Sequence, residues 1–183
     1  MQEPMQRRIG AVAAYSLRKP ERNDVDALYP IKNDLEIAAL LCGTTRSWSR
    51  SDLLKWVDFH RGAPDEAFFV IADDKNRAVG HVALYKIDRR IGSAEFGILL
   101  GDKQIWGKGI GTQFTRFMIE YGFDELNLRR IYLEVLETNS RAKRLYEKLG
   151  FVVEGRLREH QYKNGRHVDV FFMGLFPDEY RRA

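Results

Sequence analysis

The run Trp106-Gly107-Lys108-Gly109-Ile110-Gly111-Thr112 sets three alternating glycines between a strand-like segment and a helix-like one. Glycine tolerates positive φ and lets a ligand lie close to the backbone. The first turn of the following helix presents N–H groups without intrahelical partners at the positive end of its dipole. A tight glycine turn feeding such an end suits phosphate, so a phosphate-bearing cofactor is expected. Spacing excludes a P-loop, which needs four residues before its Gly-Lys pair and Ser or Thr after it. Here five residues separate Gly101 from Gly107, and Gly109 follows Lys108. A dinucleotide fingerprint is also poorly met, since Thr112 stands where G-x-G-x-x-G needs its last glycine. From the loop alone, a plain strand-to-helix connection stays open.

Around this loop the hydrophobic pattern gives an α+β chain. Residues 15–19 suggest a strand stopped by Pro20, and residues 21–29 and 34–41 suggest short helices. Ser51 is expected to cap a helix over 52–61 that ends at Gly62, with Leu53, Leu54, Trp56 and Val57 on its apolar face. Strands follow at 67–72, 78–87 and 93–100, with Gly97 marking a bulge or a close backbone approach. Ile110, Phe114, Phe117, Met118 and Tyr121 then repeat at helical spacing, and their aromatic rings are expected in the core. Residues 131–136 alternate as a strand. Thr138, Asn139 and Ser140 offer caps for a helix with Ala142, Leu145 and Leu149 as its core stripe and Gly150 at its end. Residues 151–162 and 167–175 form strands joined through Asn164-Gly165, a strong hairpin signal. The expected fold is a single mixed, mostly antiparallel sheet flanked by helices, in one domain over 9–177, with residues 1–8 frayed.

Composition narrows the class. Hydrophobic residues make up 44% and charged residues 31% of 183 residues, the profile of a water-soluble globular domain. No apolar run approaches bilayer-spanning or signal-peptide length. One cysteine, Cys42, excludes an internal disulfide framework and fits a reducing, cytoplasmic location; a buried inert thiol is favoured over a catalytic one. The net charge of +4 comes from scattered basic pairs, with no basic helical stripe of the kind nucleic acid requires. His60, His81, His160 and His167 show no metal-ligand spacing with one another or with Cys42, so no metal is expected.

Three segments taken together are more specific than the loop. They are Glu95-Phe96-Gly97-Ile98, the glycine run, and Asn139-Ser140-Arg141-Ala142-Lys143-Arg144-Leu145-Tyr146-Glu147-Lys148-Leu149-Gly150-Phe151. This set resembles the GCN5-related N-acetyltransferase superfamily, most closely the branch of ribosomal-protein alanine acetyltransferases and their relatives acting on polyamines and amino sugars. The resemblance implies acetyl-CoA as co-substrate and direct acetyl transfer to a primary amine of a small molecule or a protein N-terminus, and it allows a homodimer. It places Trp106, Gly109 and Gly111 in the pyrophosphate signature, with Gln104, Gly107 and Gly109 as a second register. Gly107, Lys108, Gly109, Ile110, Gly111 and Thr112 would form the cofactor loop. Ile98, Leu99 and Leu100 would bind the pantetheine through their backbone. Asn139 would touch the cofactor arm, and Tyr146 would face the sulfur.

The chemistry such a site needs is an oxyanion donor near Leu99, a proton for the leaving thiolate from Tyr146, and a base for the amine, for which Glu95 is the candidate. A non-catalytic acyl-CoA sensor of the same fold is the alternative. For the acceptor, Trp48, Trp56 and Phe59, with Asp34, Glu36, Asp52 and Asp58 close in sequence, are expected to hold a cationic amine. Arg46 and Arg50 would instead suit a nucleotide-linked amino sugar.

Overall fold

The computed structural model describes residues 15–180; the frayed segment expected at 1–8 and the domain start at 9 lie outside the described residues. Chain order is β1 (Tyr15–Arg18), a 3-10 turn (Arg22–Asp24), α1 (Val25–Lys32), α2 (Leu35–Ala38), α3 (Arg50–Gly62), β2 (Ala67–Asp73), β3 (Ala78–Asp88) and β4 (Ser93–Leu100). A second 3-10 turn (Lys103–Ile105), α4 (Ile110–Glu120), a π turn (Tyr121–Glu125), β5 (Arg130–Leu136), α5 (Ser140–Leu149), β6 (Val152–Lys163) and β7 (Arg166–Leu175) complete it. The strands form one seven-stranded sheet in the order β1-β2-β3-β4-β5-β7-β6.

All pairings are antiparallel except that of β4 with β5. That parallel ladder holds only three registered pairs, ending at Glu95 opposite Tyr132. Beyond it the two strands part, and α4 and α5 fill one side of the opening. Because strand side chains alternate between faces, the sheet has two distinct cores. Val82, Leu84, Phe96, Ile131 and Leu133 pack with Phe114 and Met118 of α4 and Tyr146 and Leu149 of α5. Phe68, Val70 and Ala83 pack on the other face against Leu28 of α1 and Leu53 and Val57 of α3. The α+β expectation of one mixed, mostly antiparallel sheet flanked by helices is the architecture found.

Several local expectations shift. The cap of α3 is Ser49, not Ser51: its hydroxyl accepts from the Asp52 amide while the Asp52 carboxylate accepts from the Ser49 amide, a reciprocal box that Ser51 cannot make. The helix expected over 34–41 is a single turn capped by Asp34. Gly97 carries no bulge; its register with Ala83 is regular, and a Cβ there would come within 2.9 Å of the Tyr85 ring. The close approach is therefore by a side chain. The irregularity on this hairpin lies between Tyr85 and Asp88. Asn164 (φ 50°) and Gly165 (φ 83°) make the anticipated tight turn between β6 and β7.

Candidate active site

A cleft of about 510 Å³ opens where β4 and β5 separate. Its lining includes Glu95, Ile98, Leu99, Leu100, Gly107, Gly109, Gly111, Thr112, Asn139 and Tyr146, so ten of the twelve residues singled out from sequence surround one space. Lys108 and Ile110 belong to the same loop but not to the lining: Lys108 is exposed and Ile110 packs against the core.

The β4 backbone is arranged for this cleft by its pairing with β3. Leu99 directs its carbonyl toward β3, where it lies 2.1 Å from the position of a Cβ on Gly80, and the Gly101 amide donates to Val79. Alternation then turns the amides and carbonyls of Ile98 and Leu100 toward the missing β5 partner. The Leu100 carbonyl accepts from the Trp106 indole at 3.0 Å. The β4 backbone amides directed toward the opening are thus those of Ile98 and Leu100, flanking Leu99, whose own amide faces β3.

Gly109 is the N-cap of α4 with φ +82°, and Gly107 has φ +79°. A Cβ on either would meet nothing within 4 Å, so the loop crosses open space beside the helix start. Eleven residues of α4 stand behind this end, enough for the positive end of a helix dipole to face an anion. Trp106 ties the loop back to β4. The Arg141 guanidinium sits 4.5 Å from the Trp106 ring centroid and also lines the cleft. Arg141 carries no role in the sequence motif; its place two residues past the Asn139 cap, over Trp106 of the glycine run, is the signal that marks it. Gln104 lies in the exposed 3-10 turn and does not line the cleft, which favours the register built on Trp106, Gly109 and Gly111. These features fit a pyrophosphate.

Asn139 caps α5, accepting from the Ala142 amide, and its amide nitrogen donates to the Leu40 carbonyl at 3.0 Å. One amide hydrogen remains for another partner. Tyr146 is 8% exposed, with Phe96 and Phe151 edge-on at ring distances of 6.0 and 5.7 Å. Burial, and then the neighbouring Cys42, push its phenol well above the ordinary value, so it is protonated throughout the physiological range.

Glu95 extends from the opposite sheet face to Tyr146, in register with Tyr85 and Tyr132, and pairs with Lys86 at 2.7 Å. Exposed Glu134 lies two residues beyond Tyr132 on the same face. Half-buried Cys42 also lines this part of the cleft, and burial, with Glu134 adding to it, raises its thiol to about 12.

The cage expected for a cationic acceptor is not formed. Asp34 and Glu36 pair with Lys103, Asp52 serves the α3 cap, and Asp58 pairs with Arg22. Phe59 is 62% exposed. Trp48 and Trp56 do meet, 6.4 Å apart and edge-on, but they already carry cations of this chain: Arg46 lies 3.6 Å over Trp48 and Lys32 lies 4.1 Å over Trp56. Arg50, the other residue considered for phosphates, is taken by Asp26 and by the Tyr29 ring. Lys32 and buried His81 line the cleft at this end; from sequence Lys32 has no assigned role, and His81 is considered only as a metal ligand. No motif spacing marks a lone lysine at a helix end. Among the described residues there is no candidate metal cluster, and no helix is long and apolar enough to cross a membrane.

A family model described as the acetyltransferase (GNAT) domain matches residues 15–152. An uncharacterized N-acetyltransferase, p20, of Bacillus licheniformis is 32% identical over 168 residues, covering 90% of this chain and 94% of the relative. The spermidine N(1)-acetyltransferase of Vibrio cholerae is 33% identical over 165 residues, again covering 90% and 94%. The crystal structure of spermidine N-acetyltransferase from Vibrio cholerae in complex with CoA and spermine superposes with a TM-score of 0.82 at 32% identity, covering 92% of this chain and 98% of the other.

Proposed function

The chain belongs to the GNAT acetyltransferase family and is an acetyl-CoA-dependent N-acetyltransferase acting on a primary amine, and from that premise we propose how its cleft divides the work. The observation that carries the proposal is the parting of β4 from β5 just past the Glu95–Tyr132 pair, with Tyr146 on one side of the gap and Glu95 on the other.

Acetyl-CoA supplies the activated acetyl thioester. The free amides of the first α4 turn, at Ile110, Gly111 and Thr112, take the pyrophosphate, and Arg141 adds countercharge. The Ile98 and Leu100 amides align the pantetheine arm, and one of them meets the negative charge that develops on the thioester oxygen. The amine enters over the sheet face that carries Tyr85, Glu95, Tyr132 and Glu134. Its nitrogen bonds to the acetyl carbon as the carbon–sulfur bond breaks. Glu95 receives the amine proton, directly or through water, and the Tyr146 hydroxyl donates one to the leaving thiolate. The acceptor is a small molecule; the spermidine of the relatives is one member of that chemical class.

Replacing Tyr146 with Phe keeps the ring against Phe96 and Phe151 and removes only the donor. The expected result is a kcat lower by roughly 10²–10⁴ with acetyl-CoA affinity little changed. An unaltered kcat, with chemistry rate-limiting, would reduce Tyr146 to a packing residue.

A further inference from the structure

The acceptor half of the cleft is electrically divided. Glu95, which also pairs with Lys86, and Glu134 stand near the gap. Farther along, at the C-terminal end of α1, Lys32 lines the same cleft with its Nζ 4.1 Å from the Trp56 centroid and 5.6 Å from that of Trp48. Among the described residues Lys32 makes no ion pair. Carboxylates of the surrounding helical segment and just before β2 have their own partners: Asp24 pairs with Arg18, Asp34 and Glu36 with Lys103, Asp58 with Arg22, and Glu66 with His60. The charge that acts on Lys32 is that of Arg46, another cation, stacked on Trp48. His81, 6% exposed, adds a ring nitrogen, Nδ1, that is buried without a hydrogen-bond partner.

A half-buried ammonium is costly unless an anion meets it. The two indole faces offset part of that cost, since cation–π contacts contribute about 0.5–2 kcal/mol. They do not neutralise the charge. Burial lowers the Lys32 ammonium to about 8, which leaves it mostly charged at neutral pH. Burial and the adjacent Lys32 hold His81 well below its usual value, so the imidazole there is neutral and adds no competing charge.

We propose that the acceptor is a bifunctional small molecule whose amine is drawn toward Glu95 and Glu134 and whose other end is an anionic group, a carboxylate or a phosphate, seated on Lys32. The assignment rests on the acetyltransferase reading above and narrows its substrate class. A bare diamine or polyamine long enough to span the cleft would set a second ammonium against Lys32, a like-charge contact that disfavours it.

A matched series tests this: straight-chain primary amines of two to six carbons ending in ammonium, carboxylate, phosphate or methyl, with spermidine alongside. At one chain length or more, kcat/KM for a carboxylate or phosphate amine should exceed that of the equal-length diamine at least tenfold. The better of the two anionic arms identifies the group. Lys32→Met should abolish the preference through KM, and Lys32→Glu should turn it toward the diamines, while acetyl-CoA affinity is unchanged in both. Calorimetry of the same amines against the protein saturated with CoA reads the seat independently of turnover. Anionic amines binding there in the wild type and not in Lys32→Met would uphold the proposal even if the catalytic roles given to Tyr146 and Glu95 failed. Diamines or spermidine serving as well as the anionic amines, or Lys32→Met leaving the ratio intact, would overturn it.

Discussion

Among the three glycines of the cofactor loop, only Gly111 offers a clean probe of the phosphate seat. Gly107 and Gly109 hold φ of +79° and +82°, so a side chain there strains the backbone whatever the ligand does. Gly111 has ordinary helical backbone, and a Cβ on it would make only normal contacts, 3.5 Å to a Leu100 methyl and 3.8 Å to a Leu145 methyl. Gly111→Val should therefore fold, and its branched methyls should crowd the cleft beside the first free amides of α4. Acetyl-CoA should bind at least tenfold more weakly, about 1.4 kcal/mol. If calorimetry on the folded variant finds the affinity unmoved, the pyrophosphate lies elsewhere. At this scale the sequence was legible wherever a residue type is demanded by chemistry at a fixed spacing, as with the glycines, Asn139 and Tyr146. Lys32 was not. Its meaning comes from the absence of a carboxylate beside it, which depends on where Asp34, Glu36, Asp58 and Glu66 find their partners.

The elements that wall the acceptor side are held by few and specific ties. The connection between α2 and α3 has almost no regular structure, yet three side chains bind it and the end of α2 to the far end of the sheet and to α5. The Lys163 ammonium, on the last residue of β6, donates to the Ala38 and Gly43 carbonyls at 3.2 and 2.7 Å. Gln161 accepts from the Gly43 amide, and Asn139 donates to Leu40. Lys163 is 5% exposed, so Lys163→Met would strand the Gly43 carbonyl without a donor and leave that of Ala38 only the longer bond from the Leu41 amide. Losing hydrogen bonds to a buried charged group costs about 1.5–3 kcal/mol, seen as a lower Tm. The kinetic signature is more telling: KM for the amine should rise while the Kd of acetyl-CoA, held on the α4 and α5 side, stays put. Equal loss of both would mean that the connection supports the whole cleft and not the acceptor wall alone. None of these ties could be read from the chain, since Lys163 and Gly43 are 120 residues apart. The helix periods, the Asn164-Gly165 turn and the Gly150 stop were readable because they depend on neighbours three or four residues away. The α3 cap slipped by two residues, from Ser51 to Ser49, because two serines flank one arginine and only the reciprocal bond with Asp52 separates them.

Taken whole, the molecule gives the two sheet faces different linings, and the proposed mechanism places one substrate on each. Leu84, Phe96 and Leu133 look toward α4 and α5, where the glycine loop and Tyr146 lie, and Tyr85, Glu95 and Glu134 look toward the side covered by α1 and α3. The alternation behind this division was visible in the strand patterns. The gap that joins the faces was not, because nothing in residues 93–100 or 131–136 says that pairing stops after three positions. A cleft built by withholding strand pairing leaves backbone groups and apolar surface that the co-substrate must cover, so binding should couple to the stability of the entire fold. At acetyl-CoA a hundredfold above its Kd, linkage adds about 2.7 kcal/mol to unfolding. For a chain of this size that corresponds to roughly 5–11 °C in Tm. Gly111→Val at the same concentration, with its Kd raised tenfold, should keep only about 1.4 kcal/mol of that gain, close to half of the shift. Thermal denaturation of both proteins across a concentration series would yield two parallel curves offset by one decade if the glycine loop is the seat. Superimposed curves would mean that the variant binds as the parent does and that the loop contributes nothing to holding the co-substrate.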